Sequence, residues 1–212
     1  MSFASATFSY MIKRELLDKN VFTLVEYLEK NESNKEPLED DEIVELIEKC
    51  DDEEISLAMK ISAYSGFRIG EVLALRIENI NLSEMSIASI IKDTKSKKHT
   101  RTNHIHKNLL EPLNKAIQGK KEGLLLFRNE DLKQLTLQKR INTYIRTIVQ
   151  TKKKTFHSLR SAFAKKIENY NLKDIKILLG HRDNDITVIS YLKSDTNWNK
   201  KVEMINSISY IS

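Results

Sequence analysis

The sequence predicts a mainly α-helical chain with a small antiparallel β-sheet, an α+β class, and three observations carry that prediction. Apolar residues recur at helical spacing in one segment after another along most of the chain. One stretch, "SIASIIKDTKSKKHTRTNHIH" from Ser86, instead sets β-branched residues on either side of a lysine-dense centre, the pattern of a β-hairpin with a basic turn. Glycines such as Gly66, Gly119 and Gly180 stand where those helices would end. With 212 residues and 40% hydrophobic content the chain can pack one good-sized domain plus an appendage.

Taken in order, residues 9–30 carry a helical period, and the polar stretch "NESNKEP" then interrupts up to Pro37. That places a boundary between an N-terminal helix with its linker, residues 1–36, and the main body of the chain. "EDDEIVELIEKC" opens with carboxylates suited to a helix N-terminus and turns Ile43, Leu46 and Ile47 inward. A second helix runs over "DEEISLAMKISAYS" to Gly66, and "RIGEVLALR" begins a short new one near Arg68. After the hairpin come "LNKAIQGKK", a helix ended by Gly119, and "LLLF", a buried segment of undetermined type. The pattern then returns to helix in "LQKRINTYIRTIV", "FHSLRSAFAKKIENY", "LKDIKILL" and "ITVISYL". The tail, residues 192–212, places Trp198, Val202, Met204, Ile205 and Ile208 at helix-like spacing.

Composition excludes several classes. No apolar run approaches a membrane span, and "MSFASATFSYMIKREL" lacks the basic start and apolar centre of a signal peptide, so a cytoplasmic protein is expected. The single cysteine, Cys50, rules out an intrachain disulfide and a cysteine-based zinc site. His104 and His106 alternate as neighbours on a surface strand would, and without further ligands they do not make a metal site. The formal charge of +5 is unevenly spread: residues 32–54 hold twelve acids against Lys35 and Lys49, while residues 92–107 hold six basic residues against Asp93. Further basic residues stand at Lys139, Arg140, Lys152, Lys153 and Lys154. Such runs are usually solvated surface and become informative only beside a site for phosphate chemistry.

His157 and Arg160 lie at i and i+3 at the start of an amphipathic helix, so both can face one small target near a helix N-terminus, where backbone N–H groups favour an anion. Arg68 also sits at an expected helix N-terminus, where a cation is disfavoured by the dipole unless something anionic offsets it; an ion pair to Glu71 is the plain alternative. His181 follows a helix-ending glycine, and Tyr191 lies in an apolar helical segment where it could equally be a core aromatic.

In this order and these contexts, "SGFRIGEVLALRIENINL", the hairpin with "TKSKK", "HSLRSAF", "LLGH" and a tyrosine downstream resemble the tyrosine recombinase, or phage integrase, family over about residues 38–191. The resemblance implies that family's catalytic-domain fold for residues 37–191, with residues 1–36 a remnant of a DNA-clamping domain or an interdomain linker. It implies site-specific cleavage and rejoining of DNA through a 3′-phosphotyrosine, with Tyr191 as nucleophile, Arg68 and Arg160 holding the non-bridging oxygens, and His181 bonding the same phosphate. The resemblance likewise implies Lys95 as the general acid for the departing 5′-oxygen and His157 as an aid to proton transfer. A phenol with a pKa of about 10 is a weak nucleophile, which is why charge at phosphorus must be stabilised. Two guanidinium forks do the electrostatic work that a metal does elsewhere, so no metal or cofactor is expected.

Lys92, Lys97, Lys98, Arg101, Lys139, Arg140, Lys152, Lys153 and Lys154 are then expected phosphate contacts on duplex DNA. By the same resemblance the protein is a tetramer on DNA and a monomer or weak oligomer when free, with no membrane partner. The tail docks on a neighbouring protomer, with packing on its own domain as the alternative. In a prokaryote it associates with the nucleoid; if viral it acts in the host cell. His181 and Tyr191 stand ten positions apart, one more than is usual in the family. A type IB topoisomerase-like nicking and rejoining enzyme, or a catalytically silent DNA-binding regulator, would share the same scaffold.

Overall fold

The computed structural model describes residues 3–20, 36–92, 98–127, 134–180 and 196–210. It divides into two compact units, Met1–Asn34 and Lys35–Ser212. In the first, helix α1 spans Phe3–Lys13, so it begins before the expected residue 9 and stops well short of residue 30; residues 14–20 are not helical, and 21–30 lie outside the described residues. Asn20 turns the following chain back on this helix by donating to Ser5 O and Ser9 Oγ, each at 2.9 Å.

The second unit is built around helix α3, Glu53–Ser65, buried along most of its length because Ile55, Leu57, Ala58, Met59 and Ile61 leave it no polar face. Its start is set by Asp52, whose carboxylate accepts from the N–H groups of Glu54 and Ile55 at 3.0 Å, a cap worth about 1 kcal/mol. Around it pack α2 (Asp40–Glu48), α4 (Ile69–Leu73), α5 (Lys107–Ile117) and α7 (Phe156–Lys166). α6 (Gln134–Val149) lies against α2, α4 and α7, and α8 (Leu172–Leu179) begins at Asn171, whose side chain caps Lys173 N at 2.9 Å. α3 stops at Gly66 with φ 64°, and a Cβ there would also fall 2.7 Å from Phe163 Cδ1, so both backbone conformation and close helix approach require glycine.

Strands β1 (Ile80–Asn81), β2 (Ser86–Lys92) and β3 (Lys98–His104) form an antiparallel sheet in that order, the expected hairpin being β2–β3. Its register pairs Ile87 with Asn103 and Ser89 with Arg101. Period-2 alternation therefore turns Ile87, Ser89, Arg101 and Asn103 into the core together, all at most 6% exposed. The "LLLF" stretch is no regular element: Leu124 bridges Arg76, and Leu125, Leu126 and Phe127 plug the core from a loop. His104 and His106 are buried, not surface neighbours, because His104 ends β3 against Trp198 while His106 accepts from Asn108 N to cap α5 and stacks on Tyr64 at 4.5 Å.

The tail, expected to dock on a neighbour, packs on its own domain here. Helix α9, Thr196–Asn206, lies on β3 and α8, and Met204, Ile205, Ile208 and Tyr210 complete the core because their apolar stripe fits the gap those elements leave. Lys201 is drawn in with it, donating from Nζ to Thr102 O at 2.6 Å. Burial, and then the charge of Arg101, push its pKa down to about 8. The unfolded chain thus binds more protons than the folded one between about pH 8 and the ordinary lysine range, so stability rises with pH across that window. The Tm of the wild type, measured against Lys201→Met, is expected to gain about 2 °C or more between pH 7 and pH 10; a flat difference would place the ammonium in water. Among the described residues, no helix is long and apolar enough to cross a membrane.

Candidate functional site

The C-terminal ends of α3 and α8, the start of α4, helix α7 and strand β3 meet at the candidate site. Arg68 caps α4, which starts shortly after the left-handed turn at Gly66; its side chain is 41% exposed. Its N–H donates to Glu71 Oε2 at 2.7 Å, and its Nη1 lies 3.4 Å from Glu71 Oε1. The ion pair anticipated as the plain explanation of Arg68 therefore exists, yet it is not the whole account of Glu71. The same Oε2 accepts from Arg101 Nη2 at 2.5 Å, in a pair whose side chains are 5% and 6% exposed.

Arg160 is carried on α7, whose start is set by the Thr155 N–H donating to Ser158 Oγ at 3.2 Å. Its guanidinium donates through Nη1 to Gly66 O and through Nη2 to Leu179 O, the latter at 2.7 Å. It thereby ties the C-terminal ends of α3 and α8 with a planar fork, which leaves further N–H groups of the guanidinium uncommitted to these carbonyls. Arg160 is almost wholly buried, and burial first, then the charges of Arg101 and Arg68, pull its pKa down to about 9. Arg101 is held down to about 10, chiefly by burial, although Glu71 opposes the shift. Arg68 and Arg160 thus belong to one electrostatic cluster in which, among the described residues, three guanidiniums share the carboxylate of Glu71. Two of these guanidiniums are buried and the third, Arg68, opens to solvent, so an anion arriving beside Arg68 would offset their charge.

His157 lies one turn before Arg160 on the same helix and is exposed. Lys92 and Lys98 are register partners at the hairpin end of β2–β3. Lys95, Lys97, His181 and Tyr191 lie outside the described residues, as does the helix expected over 186–192. Of the other tyrosines, Tyr210 is buried, donates to Ala63 O at 2.7 Å and has its pKa raised by burial, and Tyr144 donates to Leu46 O at 3.1 Å. Among the described residues, no group of His, Cys, Asp and Glu could hold a metal ion.

Several expected DNA contacts are placed differently. Arg101 is no surface contact: the strand alternation turns it inward, where it stacks over Phe67 at 4.6 Å and donates to Leu178 O at 2.9 Å. Lys154 is 12% exposed and donates to both oxygens of Glu42 at 2.6 Å. Lys153 pairs with Glu36 at 2.9 Å, holding that carboxyl below its usual range, and Arg140 pairs with Asp52 at 2.6 Å. The acidic run is thus the counter-charge of these basic residues, which the composition had kept apart. Exposed pairs such as Lys153–Glu36 contribute little and can open toward a phosphate, whereas the sheltered Lys154 pair is structural.

Lys154→Met is accordingly expected to lower the Tm by roughly 3 °C or more, the shift about 1 kcal/mol produces in a domain of this size, without changing the salt dependence of DNA binding. Lys139 and Lys152 are exposed; Lys139→Ala should instead reduce the slope of log affinity against log salt by about 1. Filter binding across a salt series and a thermal melt separate the two.

The likenesses to known proteins agree with this arrangement. The integrase from mycobacterium phage Brujita is 17% identical, with a TM-score of 0.67 over 97% of this chain and 70% of that one. A lambda integrase dimer bound to a COC′ core site is 20% identical, with a TM-score of 0.65 over 85% and 69%. XerA recombinase is 19% identical, with a TM-score of 0.57 over 94% and 73%. At such identities these speak for the fold, and no curated protein matches the chain. The model of the phage integrase family, however, matches residues 36–197, spanning the Arg68 box, the hairpin and the His157–Arg160 helix described above. By that match the chain belongs to the phage integrase family, the site-specific tyrosine recombinases.

Proposed function

We propose that this chain cleaves and rejoins duplex DNA at a specific site with Tyr191 as nucleophile and Arg68, Lys95, His157, Arg160 and His181 as its catalytic partners. The observation that carries the reading is the shared cluster of Arg68 and Arg160, which together with Arg101 outnumber, among the described residues, the Glu71 carboxylate beside them. A phosphodiester under attack gathers negative charge on its non-bridging oxygens, and preorganised guanidiniums stabilise that charge at no reorganisation cost.

In the forward step the Tyr191 oxygen bonds to phosphorus and the bond to the 5′-oxygen breaks. His157 assists removal of the phenolic proton, Lys95 returns one to the departing oxygen, and His181 bonds the phosphate. The phosphotyrosine conserves the bond energy, so a new 5′-hydroxyl attacks it in reverse and strand exchange needs no nucleotide. Lys92, Lys97, Lys98, Lys139 and Lys152 supply phosphate contacts along the duplex.

Assembly on DNA is proposed as a homotetramer, the free chain being a monomer or weak oligomer. A lambda integrase tetramer on a Holliday junction shares the fold and supports this. The tail meets its own apolar needs in the free chain, so docking on a neighbour would exchange one packing for another.

The test is a library of nicked suicide duplexes incubated with the protein, in which loss of the short fragment bearing the freed 5′-hydroxyl prevents rejoining. An SDS-resistant adduct whose phosphopeptide maps to Tyr191 supports the reading, and its sequenced DNA gives the target. Duplex binding without an adduct on any recovered site would leave a DNA-binding regulator. Relaxation of supercoiled DNA without exchange between duplexes would leave a topoisomerase.

A further inference from the structure

We infer that Arg101 is a positioning residue of this site, the counter-ion that occupies Glu71 and so leaves the Arg68 guanidinium available to a phosphate. The inference rests on the recombinase reading for its chemistry, and on four contacts for its geometry. Arg101 cannot itself reach DNA from where it lies, since it is 6% exposed, with its Cζ over the Phe67 ring and Gly180 against its side chain. A Cβ at Gly180 would stand 2.9 Å from Arg101 Cδ, so glycine at that helix end makes room for this arginine as well as for the turn.

What Arg101 does touch is decisive. It meets Glu71 at 2.5 Å, whereas Arg68 Nη1 meets the same carboxylate at 3.4 Å. A sheltered carboxylate beside two guanidiniums pairs with whichever is offered in the better geometry, and here that is Arg101. Without it, the whole charge of Glu71 would fall on Arg68, and the carboxylate would compete with any phosphate for the same fork. Arg101 also donates to Leu178 O, next to the Leu179 carbonyl that holds Arg160, and so sets the α8 end against which the second arginine is fixed.

The test uses Arg101→Met, which keeps an aliphatic stem against Gly180 but removes the guanidinium and its charge, alone and combined with Glu71→Gln. The readouts are inorganic sulfate binding by calorimetry and the adduct-forming rate on the trapped duplex at saturating DNA. Arg101→Met is expected to lose about tenfold in sulfate affinity and more in rate, with duplex affinity and its salt slope unchanged. Arg101→Met with Glu71→Gln is expected to recover about tenfold in rate, because the competing charge is gone; coupling of that size is ordinary within one ion-pair network. Arg101→Lys, which keeps the counter-charge, should stay close to the wild type.

A purely structural role would make the double variant worse than Arg101→Met, and that result overturns the inference, as does a folded Arg101→Met with wild-type rate and sulfate affinity. A reduced salt slope would overturn it in favour of a DNA contact. If Arg101→Met does not fold at the assay temperature, Arg101→Gln with and without Glu71→Gln carries the same comparison. Should the wild type form no adduct while the sulfate pattern holds, the recombinase reading fails and the role of Arg101 stands. With an adduct in the wild type but no recovery in the double variant, the recombinase reading stands and the role of Arg101 fails.

Discussion

Tyr191→Phe is expected to abolish the SDS-resistant protein–DNA adduct, a fall of at least about 1,000-fold in trapped product, while duplex affinity stays within about twofold. The variant deletes one oxygen and no charge, so the electrostatic contacts that dominate affinity persist and only the attacking atom is lost. Three of the described tyrosines are committed elsewhere in the unit that holds the site. Tyr210 is fixed by its bond to Ala63 O with its ionisation opposed by burial, Tyr64 is buried under His106, and Tyr144 is committed to Leu46 O. The measurement is a single-turnover adduct assay beside a gel-shift titration. Undiminished adduct in Tyr191→Phe would assign the nucleophile elsewhere, and peptide mapping would say where.

Arg160→Lys is expected to cost about 100- to 1,000-fold in the adduct-forming rate at saturating DNA, the scale on which loss of one transition-state donor is felt. Two separate effects combine. A lysine carries the charge but not the planar fork, so it cannot hold Gly66 O and Leu179 O while still presenting donors to a phosphate. Either carbonyl left without its donor costs about 1–3 kcal/mol, so the melting temperature falls as well. Arg160→Ala loses both functions and should be worse in each. The rate should fall without a matching rise in the DNA concentration for half-saturation, because the charge acts on the transition state more than on the bound duplex. A lysine variant with wild-type rate would remove Arg160 from the phosphate site and leave it as a tie between α3 and α8.

Arg68 and Arg160 were legible in the sequence alone because their boxes are local: each couples a helix start to a short apolar pattern, and their order along the chain is informative. Arg101 was not. Within a lysine-dense hairpin it passes for one more surface cation, although the alternation Arg101, Asn103, Ile105 opposite Ile87 and Ser89 was a signal that could have turned it inward. Glu71 was foreseen as the partner of Arg68 but not as the link to Arg101, since the two lie thirty residues apart. The pairing of the acidic run with Lys153, Lys154 and Arg140 was equally hidden, its members being separated by 88 to 117 positions.

The sequence by itself determined most of the described helices, the hairpin and the stops at Gly66 and Gly180, because periodicity, capping and turn chemistry act over a few residues, and the order of its boxes carried the family resemblance. Only the tertiary structure decided which charges are spent inside the protein and which remain for a ligand. That choice depends on distance and burial between segments remote in the chain: the same guanidinium is a DNA contact in water and a counter-ion when a strand carries it into the core.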